Sequence, residues 1–210
     1  YTITLPSGAL TTIGDADFPD GARTCTYVGG YFIVEKPSTA QFWVSALNDG
    51  TTWTALFFQS AYSSAENLIA VDSDHGVLIL FGKTYMEYWM PNGALDFPFG
   101  ALQSAAQQYG LAATWSRAHI NNGIAFLGEN PQGQTQVFFL DLISSYAPQK
   151  ISNADIESLI SSLSSYSNAT ALSYMIDGHP MYQLTFPTDT VSLLYDFSTG
   201  IWSETQTGVD

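Results

Sequence analysis

The sequence predicts an all-β fold, a propeller-like array of about four small antiparallel sheets with one inserted α-helix, and three observations lead there. Apolar or aromatic runs of four to eight residues, rich in Val, Ile, Tyr, Phe and Thr, alternate with clusters of Gly, Asn, Asp and Pro, as strands joined by tight turns do. Turn pairs recur at Gly29-Gly30, His75-Gly76, Asn122-Gly123 and Gly178-His179, so that Gly30, Gly76, Gly123 and Gly178 stand 46, 47 and 55 residues apart. A repeat of about 40 to 50 residues with four strands marks a propeller blade, a small sheet that shields its faces against its neighbours. A β-sandwich with coincidental spacing is the competing reading.

Each turn pair sits inside a hairpin. The first joins Thr24 to Val28 with Tyr31 to Val34, the second leads into Val77 to Phe81, the third into Ile124 to Leu127, and the fourth joins Leu172 to Ile176 with Met181 to Phe186. A third strand with paired large side chains follows in every unit, at Phe42-Trp43, Tyr88-Trp89, Phe138-Phe139 and Leu194-Tyr195. Further turns introduce a fourth strand, with Asn48-Asp49-Gly50 before Trp53, Asn92-Gly93 before Phe97 and Thr199-Gly200 before Trp202. The third unit is less regular, around Asp141 to Tyr146. Packing roles follow for Trp43, Trp53, Trp89 and Trp202.

The last interval is long because Ser152 to Tyr166 switches to helical period, with Ile156, Leu159, Ile160 and Leu163 along one face. Ser152 is expected to cap this helix by accepting the backbone N–H of Asp155, whose own charge meets the positive end of the helix dipole. The helix is expected to run from Ser152 to about Ser165. Insertions in repeat folds often lie on an interaction face, which makes this helix, and Glu157 on it, a candidate contact element. The chain is read as a single propeller-like domain, 1–210, with the helical insertion at about 152–166.

Apolar residues make up 46% of the 210 and aromatics 14%, enough to bury a core and to exclude disorder. Charged residues are only 11%, with 5 Lys plus Arg against 19 Asp plus Glu and a formal net charge of -14. Each phosphate contact to duplex DNA needs a cation and adds about 0.9 to the salt slope, so five scattered cations predict no sequence-specific DNA binding. An acidic surface would let DNA slide past as cargo. Cys25 is the only cysteine and is expected to be a small buried apolar residue, with no disulfide or zinc cluster. No apolar run approaches the roughly 18 residues of a bilayer span, so no membrane insertion is expected.

Motifs that carry chemistry are sparse, and neither a catalytic site nor a cofactor is expected. His75 and His179 stand in turn pairs and are read as turn residues; His119 has no supporting acid nearby in sequence. Asp72, Asp74 and Gly76 resemble the start of a calcium loop but lack the closing bidentate Glu, so no metal is assigned. There is no G-x-S-x-G elbow, no G-x-G-x-x-G and no phosphate-binding loop. Asp72, Asp141 and Asp177 are the carboxylates that a glycosidase-like propeller would draw on, since its acids come from separate blades. Asn168-Ala169-Thr170 fits a glycosylation triplet and decides nothing.

Longer phrases carry more. The run DADFPDGARTCTYVGGYFIVEKPSTAQFWVSALNDGTTWTAL from Asp15 to Leu56 resembles the packaged-DNA stabilisation proteins of podovirus tails. The same family is similar at LILFGKTYMEYWMPNGALDFPF (Leu78 to Phe99), PQKISNADIESLI (Pro148 to Ile160), GHPMYQLTFPT (Gly178 to Thr188) and LYDFSTGIWSE (Leu194 to Glu204). The resemblance implies a tail accessory, or nozzle, protein of the virion, assembled as a homo-oligomeric ring below the portal. It implies contact with other tail proteins (portal adaptor, tail needle or tailspike) and a share in closing the DNA channel, with no catalytic residue to carry over. The match corresponds to the C-terminal part of a longer family protein, so the chain is read as a fragment, and Ser203 stands where a His commonly follows the Trp. Two other readings stay open: a carbohydrate-binding or carbohydrate-cleaving propeller, and a tail-tip receptor-binding module.

Overall fold

Strand-forming runs broken by left-handed turn residues produce four larger antiparallel sheets, three of them meanders in chain order, with one short α-helix among the described residues. The structure, a computed structural model, describes residues 2–4 and 8–206. Two compact units divide the chain: Tyr1–Gly82 with Glu87–Ser104, and Lys83–Met86 with Ala105–Asp210.

The first unit opens with a small hairpin, β1 (Thr2–Thr4) and β2 (Ala9–Thr11). Its first large sheet is β3 (Cys25–Val28), β4 (Tyr31–Glu35), β5 (Gln41–Ala46) and β6 (Asp49–Ser60). The second is β7 (Ala70–Asp74), β8 (Val77–Phe81), β9 (Met86–Pro91) and β10 (Phe99–Ala101). In the second unit the third sheet comprises β11 (Gly110–Leu111), β12 (Ala118–Ile120), β13 (Gly123–Glu129), β14 (Thr135–Leu140) and β15 (Gln149–Lys150). Here β11 and β12 share one edge of β13, so the opening strand is interrupted, and β15 is a two-residue stub, which is the irregularity expected near Asp141 to Tyr146. The fourth sheet is β16 (Thr170–Ile176), β17 (His179–Phe186), β18 (Val191–Asp196) and β19 (Ile201–Gln206).

The four hairpin turns share one geometry. Both central residues have positive φ at Gly29-Gly30 (63° and 90°), His75-Gly76 (47° and 76°), Asn121-Asn122 (49° and 65°) and Asp177-Gly178 (48° and 87°), the requirement of a two-residue type I′ turn. Two turn pairs are therefore displaced by one residue from Asn122-Gly123 and Gly178-His179. Gly123 opens β13 opposite Ile120, where a Cβ would lie 2.3 Å from the Leu140 carbonyl oxygen, so that glycine answers to a close approach instead of a turn. With the turns corrected, Gly30, Gly76 and Asn122 stand 46 and 46 residues apart, and Gly178 follows after 56, the interval that holds the helix.

The helix, α1, spans Ala154–Ser162, shorter than the expected Ser152 to Ser165. Its cap is Asn153, whose side chain accepts from the Ile156 N–H at 3.0 Å, and not Ser152. The Ser152 hydroxyl is already committed, accepting from the Val137 N–H at 3.1 Å and donating to Glu157 at 2.9 Å. At the other end Leu163 turns extended, and Ser164 donates its N–H to Asp189 instead of continuing the helix. Ile160 is fully buried, with Ile156, Leu159 and Leu163 packed beside it, in a core that also holds Tyr182, Leu184 and Phe186 of β17.

Register sorts the first sheet into two faces. Ile33 and Val44 point one way with Phe42, whose ring meets Trp89 at 5.0 Å and Phe97 at 5.7 Å in the second sheet. Val34, Trp43 and Phe58 point the other way, in a cluster with Trp53 that Ile13, Phe18 and Ala22 cover. Trp43, Trp53 and Trp89 are buried, while Trp202 is half-buried and donates its indole N–H to the Ile151 carbonyl at 2.8 Å.

Candidate functional site

The cover over the first sheet is incomplete. Between the 13–24 segment and the sheet lies a cavity of about 550 Å³, with Ile13, Phe18 and Ala22 on one wall and Phe32, Val34 and Trp53 on the other. Arg23, Thr24 and Cys25, with Gly50 and Thr51, complete its lining. Asp15 anchors the covering segment by accepting the Trp53 N–H at 2.9 Å and the Asp17 N–H at 2.9 Å, bonds that hold its carboxyl below the usual carboxylate range. Cys25 is exposed, contrary to its expected burial, because it stands on the edge strand β3 beside Val34 and faces this unfilled space. Removal from bulk water and then the nearby Glu35 charge push its thiol upward, so it is a poor nucleophile.

Three glutamates are buried. Glu35 is fully buried and accepts from the Arg23 N–H at 2.8 Å, the Thr24 N–H at 3.0 Å and the Thr24 hydroxyl at 2.5 Å; Thr24 in turn accepts from Val71 of the second sheet at 2.9 Å. Glu87 accepts from the Tyr62 N–H at 2.9 Å, the Ser63 N–H and the Trp89 indole at 3.2 Å. Glu129 meets Lys83 at 3.3 Å and the Tyr166 hydroxyl at 3.4 Å. Each closes a polar account inside an apolar region, as buried carboxylates must. The signal was present in sequence as a single acid within an apolar strand run, in YFIVE, YMEYWM and IAFLGE.

All five cations are likewise engaged. Arg23 pairs with Glu35 at 3.6 Å, Lys83 with Glu129 at 3.3 Å and Lys150 with Glu157 at 3.0 Å. The remaining two, Lys36 and Arg117, lie over the indoles of Trp43 and Trp115 at 5.3 Å and 5.9 Å. Counterion release from duplex DNA needs clustered cations, and this chain offers none that is not already balanced or stacked.

Comparison with known proteins gives this geometry its context. A family model described as Bacteriophage P22 Gp10, beta-propeller, matches residues 3–210. The chain belongs to this phage-stabilisation family. The family is described as one of phage-stabilisation proteins with a beta-propeller. No curated protein matches it. Among solved structures, a dihydro-heme d1 dehydrogenase, NirN, in complex with DHE is similar over 87% of this chain and 37% of its own, at 12% identity and a TM-score of 0.56. The extracellular domain of a hybrid two-component system from B. thetaiotaomicron is similar over 90% of this chain and 22% of its own, at 7% identity and a TM-score of 0.50. At such identities these likenesses show the fold alone, and the chain spans well under half the length of either.

Within the phage-stabilisation fold, the residues singled out from sequence hold turns and strand ends. His75 occupies a left-handed turn position with Nδ1 2.8 Å from Asp74. His179 is not a turn residue; it opens β17 and sits 2.8 Å from Asp196. Asp72 accepts the Ser73 N–H at 2.8 Å, Asp141 the Ile143 N–H at 3.0 Å, and Asp177 supplies a left-handed turn residue. His119 lies in the short strand β12. Among the described residues no three His, Cys, Asp or Glu side chains are arranged to hold a metal ion. Asn168 donates to the Thr188 hydroxyl at 2.9 Å. Burial pushes Glu157 upward, but its bonds to Lys150, Ser152 and Gln136 outweigh it and leave the carboxyl below its ordinary range, so this residue is tied into its own unit.

Proposed function

We propose that this chain acts without turnover, as one propeller-like domain of a homo-oligomeric ring in the phage tail. There it helps close the DNA channel and meets the portal adaptor and the tail needle or tailspike. The observation that carries this reading is the engagement of every cation: DNA can pass such a surface as cargo without being held. Rigid sheets whose buried glutamates are hydrogen-bonded supply shape, and a low charge density lets subunits join without stripping water from many ions, each of which costs several kcal/mol to bury. No cofactor enters the reading, and the acids at Asp72, Asp141 and Asp177 serve local structure.

Sedimentation of the purified chain together with gel retardation of duplex DNA tests this. The expected result is a closed oligomer that leaves DNA unretarded even at low salt. Strong retardation that fades with a steep salt slope, or hydrolysis of a glycan by the pure protein, would overturn it.

A further inference from the structure

We propose that the cavity on the first sheet is filled by a second copy of this chain, which inserts its Leu95-Asp96 finger so that Leu95 enters the apolar walls and Asp96 meets Arg23. The proposal rests on the ring reading above and names the contact that would build it.

The finger is the turn between β9 and β10. It is held at its base by the Asn92 N–H bond to the Pro98 carbonyl at 2.9 Å and by buried Phe97, and it is shaped by the Asn92 side chain accepting the Ala94 N–H at 3.0 Å. It presents Leu95 at 98% exposure, the most exposed large apolar side chain among the described residues. Asp96 beside it is also exposed. Moving that side chain from water into an apolar wall on binding is favourable.

The cavity offers the complement. Its walls carry Phe18, Phe32, Val34 and Trp53, and about 550 Å³ is ample for a leucine, since about 150 Å³ already accepts benzene. Arg23, half-exposed, spends its Nε on Glu35 and has its other guanidinium nitrogens available at the lining. Asp96 would reach an arginine whose charge Glu35 already meets, so what this contact adds is directed N–H donation to the finger's carboxylate at the rim of a cavity that its leucine fits.

Geometry forbids the contact within one copy. The second sheet, which carries the finger, packs on the Phe42 face of the first sheet, and the cavity lies on the opposite, Val34 face. The contact is therefore heterologous, head to tail, and such contacts close into rings when the rotation permits.

Cys25, the sole cysteine, lines the cavity and reports on it. The L95C chain, mildly oxidised, is expected to yield a peptide with Cys25 of one copy bonded to the introduced thiol of another. The L95D chain is expected to melt like the parent, because the site is solvent-exposed, and to associate at least about tenfold more weakly. Alkylation of Cys25 should slow when the unaltered chain assembles. Assembly of L95D at parental affinity, or an assembled parent whose Cys25 reacts as fast as in the monomer, overturns the docking and leaves the ring reading intact. A parent that stays monomeric at every concentration overturns both. Protection of Cys25 only after another tail protein is added gives the cavity to that protein and overturns self-docking.

Discussion

Neighbouring sheets in the first unit are bolted together by a carboxylate, whereas in the second unit the bonds that tie β16 and β17 to the segment before β12 join neutral groups. Glu35 gathers two backbone N–H groups and the Thr24 hydroxyl, and Thr24 passes the link to Val71 of the next sheet. In the second unit the Tyr182 hydroxyl donates to the Ser116 carbonyl at 2.6 Å, and Ala171 donates its N–H to the Trp115 carbonyl at 2.8 Å. Tyr182 is wholly enclosed, and that burial pushes its phenol far above the usual range, so the joint stays neutral at any working pH. The lesson is that ties of this kind can be met by different polar chemistry, provided no buried donor is left over.

The contrast predicts unequal mutational costs. Glu35→Ala leaves several buried donors unmatched and should cost about 3–5 kcal/mol, read as the shift in the urea midpoint at constant m-value. A loss below about 1 kcal/mol would show that the carboxylate is not the joint. Tyr182→Phe removes one neutral bond while keeping the ring in place, and should cost only about 1–2 kcal/mol by the same measurement. If the two variants cost the same, the distinction between charged and neutral joints fails.

Those residues also mark how far the sequence could be read. Turn pairs, strand order and the helical insertion were legible because glycine, asparagine and period changes act locally. The one-residue displacement at Asn121-Asn122 was not, because Gly123 is demanded by the Leu140 carbonyl on a neighbouring strand, a non-local constraint. The helix cap was missed for a similar reason: Ser152 is a fit cap by type, but Val137 and Glu157 had already engaged its hydroxyl. Cys25 was expected inside by residue preference, and only the coordinates reveal the gap beneath the 13–24 segment that exposes it. The finger and cavity are each unremarkable as text, since exposure of Leu95 and emptiness beside Phe32 belong to the folded chain alone.

A smaller effect sharpens the comparison at the far end of the second unit, where charge does appear. Desolvation raises the Asp196 carboxyl, but its bonds to His179, Ser198 and Thr199 prevail and bring it to about 2, below its ordinary 3.8. A carboxyl held low in the fold and higher in the unfolded chain contributes stability that is whole above about pH 4 and lost as pH falls toward 2. Asp196→Asn should therefore lower the neutral plateau of the melting-temperature profile while leaving its acid end nearly unchanged, which flattens the limb between those values. Tyr182→Phe, acting through a group that does not titrate there, should lower the whole profile without changing its slope. An acid limb that Asp196→Asn leaves as steep as before would place the acid sensitivity of this unit in some other carboxylate.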